Sequence, residues 1–229
     1  MVGGSGVWEG RGRIVGMQHD GTVDVAGAVD VAGARDVAGA VDAASAAGAA
    51  GTVRVVVADA AARVHHTVLG TPVGDVTIVA RGGVLTAVQF AGARPSAVPA
   101  DLGARDDDGL ADARRQLEEY VAGERTAFDL PVHLDGSDFQ VRVWRGLLRI
   151  PFGRTWSYGR LAEEIGLDPR TSSRAVGAAN GRNRLAVVVP CHRVIGADGS
   201  LVGFAAGVAR KRFLLDLEAE QHLGESVLF

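Results

Sequence analysis

Cysteine is almost missing from this chain: one thiol, Cys191, in 229 residues. A single cysteine excludes an intrachain disulfide framework. It leaves either an inert buried residue or a reactive group in a reducing compartment. Long apolar runs are missing too. No stretch reaches the roughly 18 consecutive apolar residues of a membrane-spanning helix, so no membrane partner is expected. The opening MVGGSGVWEGRGR has no charged segment followed by an apolar one, and does not read as a secretory leader. These absences lead to the expectation of a cytoplasmic protein.

What is present is enough for a packed core, since 47% of residues are hydrophobic. Residues 23–46 read VDVAGA, VDVAGA, RDVAGA, VDAASA, a six-residue repeat in four copies without aromatics. Four such copies stack too little core for a solenoid. Residues 1–62 are therefore expected to be a low-complexity, disordered tail outside the chemistry. The net charge is −3, which at first argues against nucleic acid. From Ser137 to Leu215, however, 13 Arg and Lys stand against 5 acids, an excess of eight positive charges. Such a region is either a phosphate-binding face or a solvated Arg-rich surface.

The pattern predicts an α+β chain. The first unit, 63–135, holds a strand at VHHTVLG and two more joined at Gly82-Gly83, a two-residue hairpin signal. A helix follows in GLADARRQLEEYVAGE, with Leu110, Ala113, Leu117, Tyr120 and Val121 on one face and Gly123 at its end. AFDLPVHL reads as another short strand. His65, His66 and His133 lack a companion cysteine or carboxylate cluster, so no metal is expected. The second unit, 136–229, reads as mostly helical. Phe139, Val143, Trp144, Leu147 and Leu148 recur at helical spacing behind a Ser137 or Asp138 cap. Ser157 caps a short helix carrying Leu161, Ala162 and Ile165. A second opens near Ser172 and ends at Asn180-Gly181, which suggests a helix-turn-helix. A last helix spans about 207–222, with Phe213, Leu214 and Leu217 inward.

The only thiol sits in LAVVVPCHRVIG, residues 185–196. Pro190 breaks the apolar run Leu185–Val189 and presents Cys191 at the end of a rigid segment. A free thiol is mostly protonated at neutral pH and needs a base or a positive charge nearby. His192 is adjacent, but neighbouring side chains of an extended segment point to opposite faces. A water bridge from His192, itself oriented by a carboxylate such as Glu218, suits the chemistry better than a direct bond. Arg193 and Val194 are expected to fix the turn. A lone cysteine is also a common small core residue, and both readings stand on the residues alone.

Pro190-Cys191-His192-Arg193-Val194, together with IPFGRTWSYGRLAEEIG, SSRAVGAANGRN and GFAAGVARKRFLLDLE in that order, resembles the O6-alkylguanine-DNA alkyltransferases. The likeness covers about 139–220 closely and 63–135 loosely. It implies a small ribonuclease-H-like α/β domain followed by a helical winged-helix or helix-turn-helix-like domain that binds and repairs double-stranded DNA. It implies transfer of an alkyl group from guanine O6, possibly also from O4-alkylthymine, to the protein's own cysteine, once per molecule, by a monomer without a cofactor. The resemblance casts Cys191 as nucleophile, His192 as its base through water, and Glu218 as the group that orients His192. It has Tyr158 rotate the nucleotide and donate a proton, and Lys211 polarise the site. Arg174, with Ser173 and Ala175 beside it, would fill the gap left by the extruded base. Asn183 would brace the active-site turn, and the backbone of Cys191 and Val194 would read the guanine edge. Arg193, Phe204, Ala205 and Ala206 would complete the turn and pocket.

Three positions depart from the family pattern. Arg184 follows Asn183 where proline is usual. Phe204 stands where tyrosine is usual, and Ala206 where glycine is usual. A tyrosine hydroxyl would steady the leaving oxygen, and losing one such donor costs on the order of 2–4 kcal/mol of transition-state stabilisation. Ala206 narrows the pocket. The expectation is slower transfer than in tyrosine-bearing relatives, with methyl favoured over benzyl. A lesion-recognition module, a helix-turn-helix regulator and a cysteine hydrolase remain as alternatives. Cys191 argues against the first, the lack of an N-terminal cysteine cluster against a metal-based sensor, and the lack of an oxyanion motif against the third.

Overall fold

The structure is a computed structural model and describes residues 52–93 and 101–225. Six strands form one mixed sheet: β1 (Arg54–Val55), β2 (Val64–Leu69), β3 (Val76–Arg81), β4 (Val84–Phe90), β5 (Ala104–Arg105) and β6 (Pro131–Val132). Their spatial order is β1-β6-β4-β3-β2-β5. The β3–β4 hairpin turns at Gly82 and Gly83, whose φ values of 56° and 80° suit a two-residue type I′ turn. Helix α1 (Ala111–Val121) buries Ala113, Gln116, Leu117 and Tyr120.

The sheet begins earlier than the boundary expected at 63. Arg54 donates to the Leu130 carbonyl (3.1 Å) and Val56 to that of Val132 (2.9 Å), so a short β-branched run is recruited from beside the Ala-rich tail. Residues 1–51 of the expected tail lie outside the described residues. AFDLPVHL supplies only β6, wedged between β1 and β4.

Helix α2 (Asp138–Leu147) starts from a full capping box, in which the Ser137 hydroxyl accepts from Gln140 N and the Gln140 side chain accepts from Ser137 N. It buries Val143, Trp144 and Leu147, but Phe139 is 36% exposed and is not part of the core face expected for it. A small parallel pair, β7 (Trp156–Ser157) and β8 (Val194–Ile195), frames the helix-turn-helix of α3 (Tyr158–Glu164) and α4 (Pro169–Asn180). Ser157 caps α3, accepting from Arg160 N. α4 starts three residues before the expected Ser172. Asp168 caps it, and Pro169 occupies the first turn, where its missing N–H costs nothing. Helix α5 (Val208–Glu225) closes the chain's described part.

One continuous apolar cluster runs from Leu69 and Ile78 of the sheet, through Trp144 and Leu161, to Leu214 of α5. The apolar run Leu185–Val189 is its bridge. β6 covers β4 only at Leu85, and further along that edge Val88 N donates to the Arg184 carbonyl (2.8 Å) while Ala186 N donates to the Val88 carbonyl (3.0 Å). The buried Gln89 amide also donates to the Arg184 carbonyl. The run ahead of the thiol is thus an extension of the sheet edge. Replacing this amide by a hydrocarbon leaves its carbonyl partners short of a donor in the interior. Gln89→Leu is expected to lower unfolding free energy by about 1–2 kcal/mol in urea titration. An unchanged midpoint would contradict that attachment.

Candidate active site

Two tight reversals separate Leu185 from Cys191. Val188 N donates to the Ala186 carbonyl (2.9 Å) across Val187, whose φ is +73°. Cys191 N donates to the Val189 carbonyl (2.8 Å) across Pro190, at φ −80° and ψ 63°. The second is the relaxed inverse γ-turn. The first places a β-branched residue in the left-handed region, which costs on the order of 1–3 kcal/mol. Buried packing of Val187 and the Asn183 side chain hold it. The Asn183 amide donates to the Val189 carbonyl (2.8 Å), and its oxygen accepts from Leu185 N (3.0 Å). The chain then enters a 3-10 turn, Cys191–Arg193, with all three side chains buried.

Beneath this turn lies a carboxylate saturated with donors. Glu218 Oε1 accepts from the Tyr120 hydroxyl (2.8 Å), from His192 Nε2 (2.8 Å) and from the Arg193 terminal nitrogen (2.9 Å). Its Oε2 accepts from Arg193 Nε (2.9 Å) and Gly153 N (3.0 Å). Arg193 also donates to the Ile150 carbonyl (2.7 Å). Burial alone would raise the Glu218 carboxyl, but the charges and hydrogen bonds of His192 and Arg193 outweigh it and hold it well below the usual carboxylate range. A carboxylate only accepts, so Nε2 of His192 carries the proton and Nδ1 is the bare acceptor. Nδ1 is buried and has no hydrogen-bond partner. Burial lowers the imidazole below its ordinary value despite Glu218, so it is neutral at pH 7.

Burial pushes the Cys191 thiol up to about 11. The Asn183 amide, the Lys211 charge and the turn's own N–H groups pull the other way. Lys211 is the only lysine in the chain and is fully buried. It donates to the carbonyls of Val194 and Val202. Tyr158, at the start of α3, is half-buried and donates to the same Val202 carbonyl (2.9 Å). Asn180, the last residue of α4, donates to the carbonyls of Cys191 (3.3 Å) and Gly203 (3.4 Å). The site is therefore a protonated thiol with a neutral base, a cation and a phenol around it. That set suits displacement by sulfur on an electrophilic carbon.

The family described as 6-O-methylguanine DNA methyltransferase matches this chain twice: its ribonuclease-like domain over residues 64–134 and its DNA binding domain over 138–220. The chain belongs to the O6-methylguanine DNA methyltransferase family. A Mycobacterium tuberculosis protein named methylated-DNA--protein-cysteine methyltransferase is 43% identical over 167 residues, 72% of this chain and 99% of its own length. A Methanosarcina acetivorans protein of the same name is 41% identical over 154 residues, 67% of this chain and 97% of its own. The crystal structure of Mycobacterium tuberculosis OGT in complex with DNA superposes with a TM-score of 0.64 at 44% identity, covering 69% of this chain and 94% of that one.

Within this methyltransferase fold the residues singled out from the sequence separate into three groups. Cys191, His192, Arg193, Glu218, Asn183 and Lys211 are gathered and buried, with Pro190 and Val194 flanking the thiol. Arg174 and Ala175 are exposed on α4, and Ser173 is half-buried there with its hydroxyl on the Pro169 carbonyl. The pocket segment is anchored to the sheet. Phe204 packs edge-on against Phe90 (6.4 Å), Arg210 lies over Phe90 (5.3 Å), and Arg210 donates to the carbonyls of Val73 (2.8 Å) and Ala206 (3.1 Å). Ala205 and Ala206 are half-buried. The backbone of Cys191 and Val194, expected to read the guanine edge, is already partly engaged: the Cys191 carbonyl accepts from Asn180 and Val194 N, and the Val194 carbonyl from Lys211. Tyr120, Asn180 and Gly153 were not singled out. A buried tyrosine hydroxyl needs a partner, and that was the available signal for Tyr120. Among the described residues no helix is long and apolar enough to cross a membrane, and no three or more His, Cys, Asp or Glu gather as metal ligands.

Burial pushes the Lys211 ammonium from 10.5 down to about 8. Between those values the unfolded chain binds more protons than the native one, so Lys211 makes stability rise with pH there. Cys191, raised from 9.0 to about 11, acts in the opposite sense above pH 9. Denaturation midpoints are expected to rise from pH 8 to 9 in the native sequence and not in Lys211→Met. An equal rise in both proteins would contradict the buried cation.

Proposed function

We propose that this protein repairs alkylated DNA by direct reversal, moving the alkyl group of an O6-alkylguanine onto Sγ of Cys191, once per molecule. One observation carries this reading. The relatives are named for transfer from methylated DNA to a protein cysteine, and this chain has a single cysteine to receive it. That cysteine sits in a turn fixed from both sides, beside an imidazole held in its basic form.

The target atom is inside a duplex, so the base must be extruded into the pocket. The helix-turn-helix lies in the minor groove, which suits lesions at any sequence. On α4 the exposed Arg174 enters the stack where the base was, with small Ala175 and Ala178 beside it and Ser173 at its flank. Tyr158 turns its hydroxyl from the Val202 carbonyl toward the base. Nδ1 of His192 takes the thiol proton through a water, and the Lys211 charge favours the thiolate. Sulfur attacks the alkyl carbon in line; the S–C bond forms as the C–O6 bond breaks, and the bonding pair stays on O6. A proton relayed by Tyr158 neutralises the guanine. Net, the thiol exchanges its proton for the alkyl group. The thiol is consumed as the reagent, so the chemistry calls for no cofactor and one chain suffices. The reading places the protein in the cytoplasm.

Incubation with a duplex carrying O6-methylguanine tests the proposal. The peptide containing Cys191 is expected to gain one methylene, with at most one per molecule. An unchanged mass with the lesion bound over undamaged DNA would make the protein a recognition module. Phe204→Tyr restores a donor near the leaving oxygen and is expected to speed transfer by about tenfold or more in single-turnover kinetics. No gain would remove the leaving-group argument.

A further inference from the structure

The Glu218 carboxylate draws a donor from an element that holds none of the residues assigned to the reaction. Tyr120 lies on α1, fully buried, with Phe128 (5.3 Å) and Phe152 (6.3 Å) packed on its ring. Its hydroxyl donates to Glu218 Oε1 at 2.8 Å, the same oxygen and the same distance as His192 Nε2. The hydroxyl oxygen is also 3.4 Å from His192 Nε2. Tyr120 and His192 thus share this oxygen with Arg193, and each donor weakens the others' hold on it.

We propose that Tyr120 is a positioning residue of the alkyl-transfer reaction. Its hydroxyl occupies Glu218 Oε1, limits how strongly that carboxylate draws the Nε2 proton, and so sets the basicity of His192 Nδ1. The inference rests on the reading of Cys191 as the acceptor and His192 as its base. The groups acting on His192 are Glu218 and Lys211 from α5, Tyr120 from α1, and Arg193 from its own turn, where Cys191 is its neighbour in the chain. Of these, Tyr120 alone reaches the cluster from the sheet half of the protein. Burial, then the Glu218 charge, keep its phenol well above the ordinary tyrosine value, so it stays a donor throughout the neutral range.

The sign follows. Without the hydroxyl, Oε1 has one donor fewer and turns more of its charge on Nε2–H. The imidazolium is then better stabilised, and protonation of His192 moves to higher pH. In Tyr120→Phe the acid limb of the transfer rate is expected to move up by about one pH unit. In the unreacted protein at fixed pH, the His192 Nε2–H proton resonance is expected to move downfield as its hydrogen bond strengthens. Phe128→Leu loosens the same packing without touching the hydroxyl. It is expected to lower the melting temperature and leave both readouts in place. An unmoved limb and resonance in Tyr120→Phe, or equal movement in Phe128→Leu, would overturn the proposal. A shifted resonance in a protein that never methylates Cys191 would sink the repair reading and leave the coupling standing.

Discussion

The arrangement depends on one buried charge. Glu218 is 1% exposed and ionised, and a carboxylate taken from water is tolerated only when it is paired and its lone pairs are filled. Here four partners come from three places: α1 through Tyr120, the loop before β7 through Gly153, and the nucleophile turn through both His192 and Arg193, all meeting a residue of α5. The pairing is not needed for stability alone, since apolar groups of the same volume often do as well. What it supplies is position. The carboxylate cannot satisfy itself unless the turn, the helix and the sheet half stand in one arrangement, and that arrangement leaves Nδ1 of His192 as a buried acceptor with no partner.

The second constraint is mechanical. The segment leading to Cys191 is sewn to the edge of β4 at Val88 and then reversed twice within a few residues, once through Val187 at an unfavourable φ. Asn183 closes the loop from inside. Strain of this kind persists only where the surroundings over-determine it. Here it removes freedom from the one side chain whose freedom would be costly in an in-line displacement. The Phe204–Ala206 segment is held by the sheet as well, through Phe90 against both Phe204 and Arg210. The sheet half thus anchors both the segment leading to Cys191 and the Phe204–Ala206 segment.

Much of this was legible in the sequence. The hairpin at Gly82-Gly83, the Ser137 and Ser157 caps and the helix-turn-helix each follow from a local rule that the structure also obeys. The Cys191, His192 and Glu218 set was legible because a thiol, an imidazole and a distant carboxylate make chemical sense together, and because four motifs in order resembled one family. What was not legible is non-local. β1 depends on Leu130 and Val132 as hydrogen-bond partners more than 70 positions away. Phe139 shares the helical period of α2 yet stays exposed at its start. Tyr120 has the spacing of a core residue and is one; only the fold tells that its hydroxyl ends on Glu218. Arg210 lies within GFAAGVARKRFLLDLE, but nothing in that motif tells that it reaches Val73 and Phe90 of the sheet half.

The most direct measurement is the tautomer of His192 in the unreacted protein, read from a long-range proton–nitrogen correlation of its ring. The account requires the proton on Nε2, donated to Glu218, with Nδ1 bare. A proton on Nδ1 would leave nothing there to take the Cys191 proton, and the account would fail at its centre.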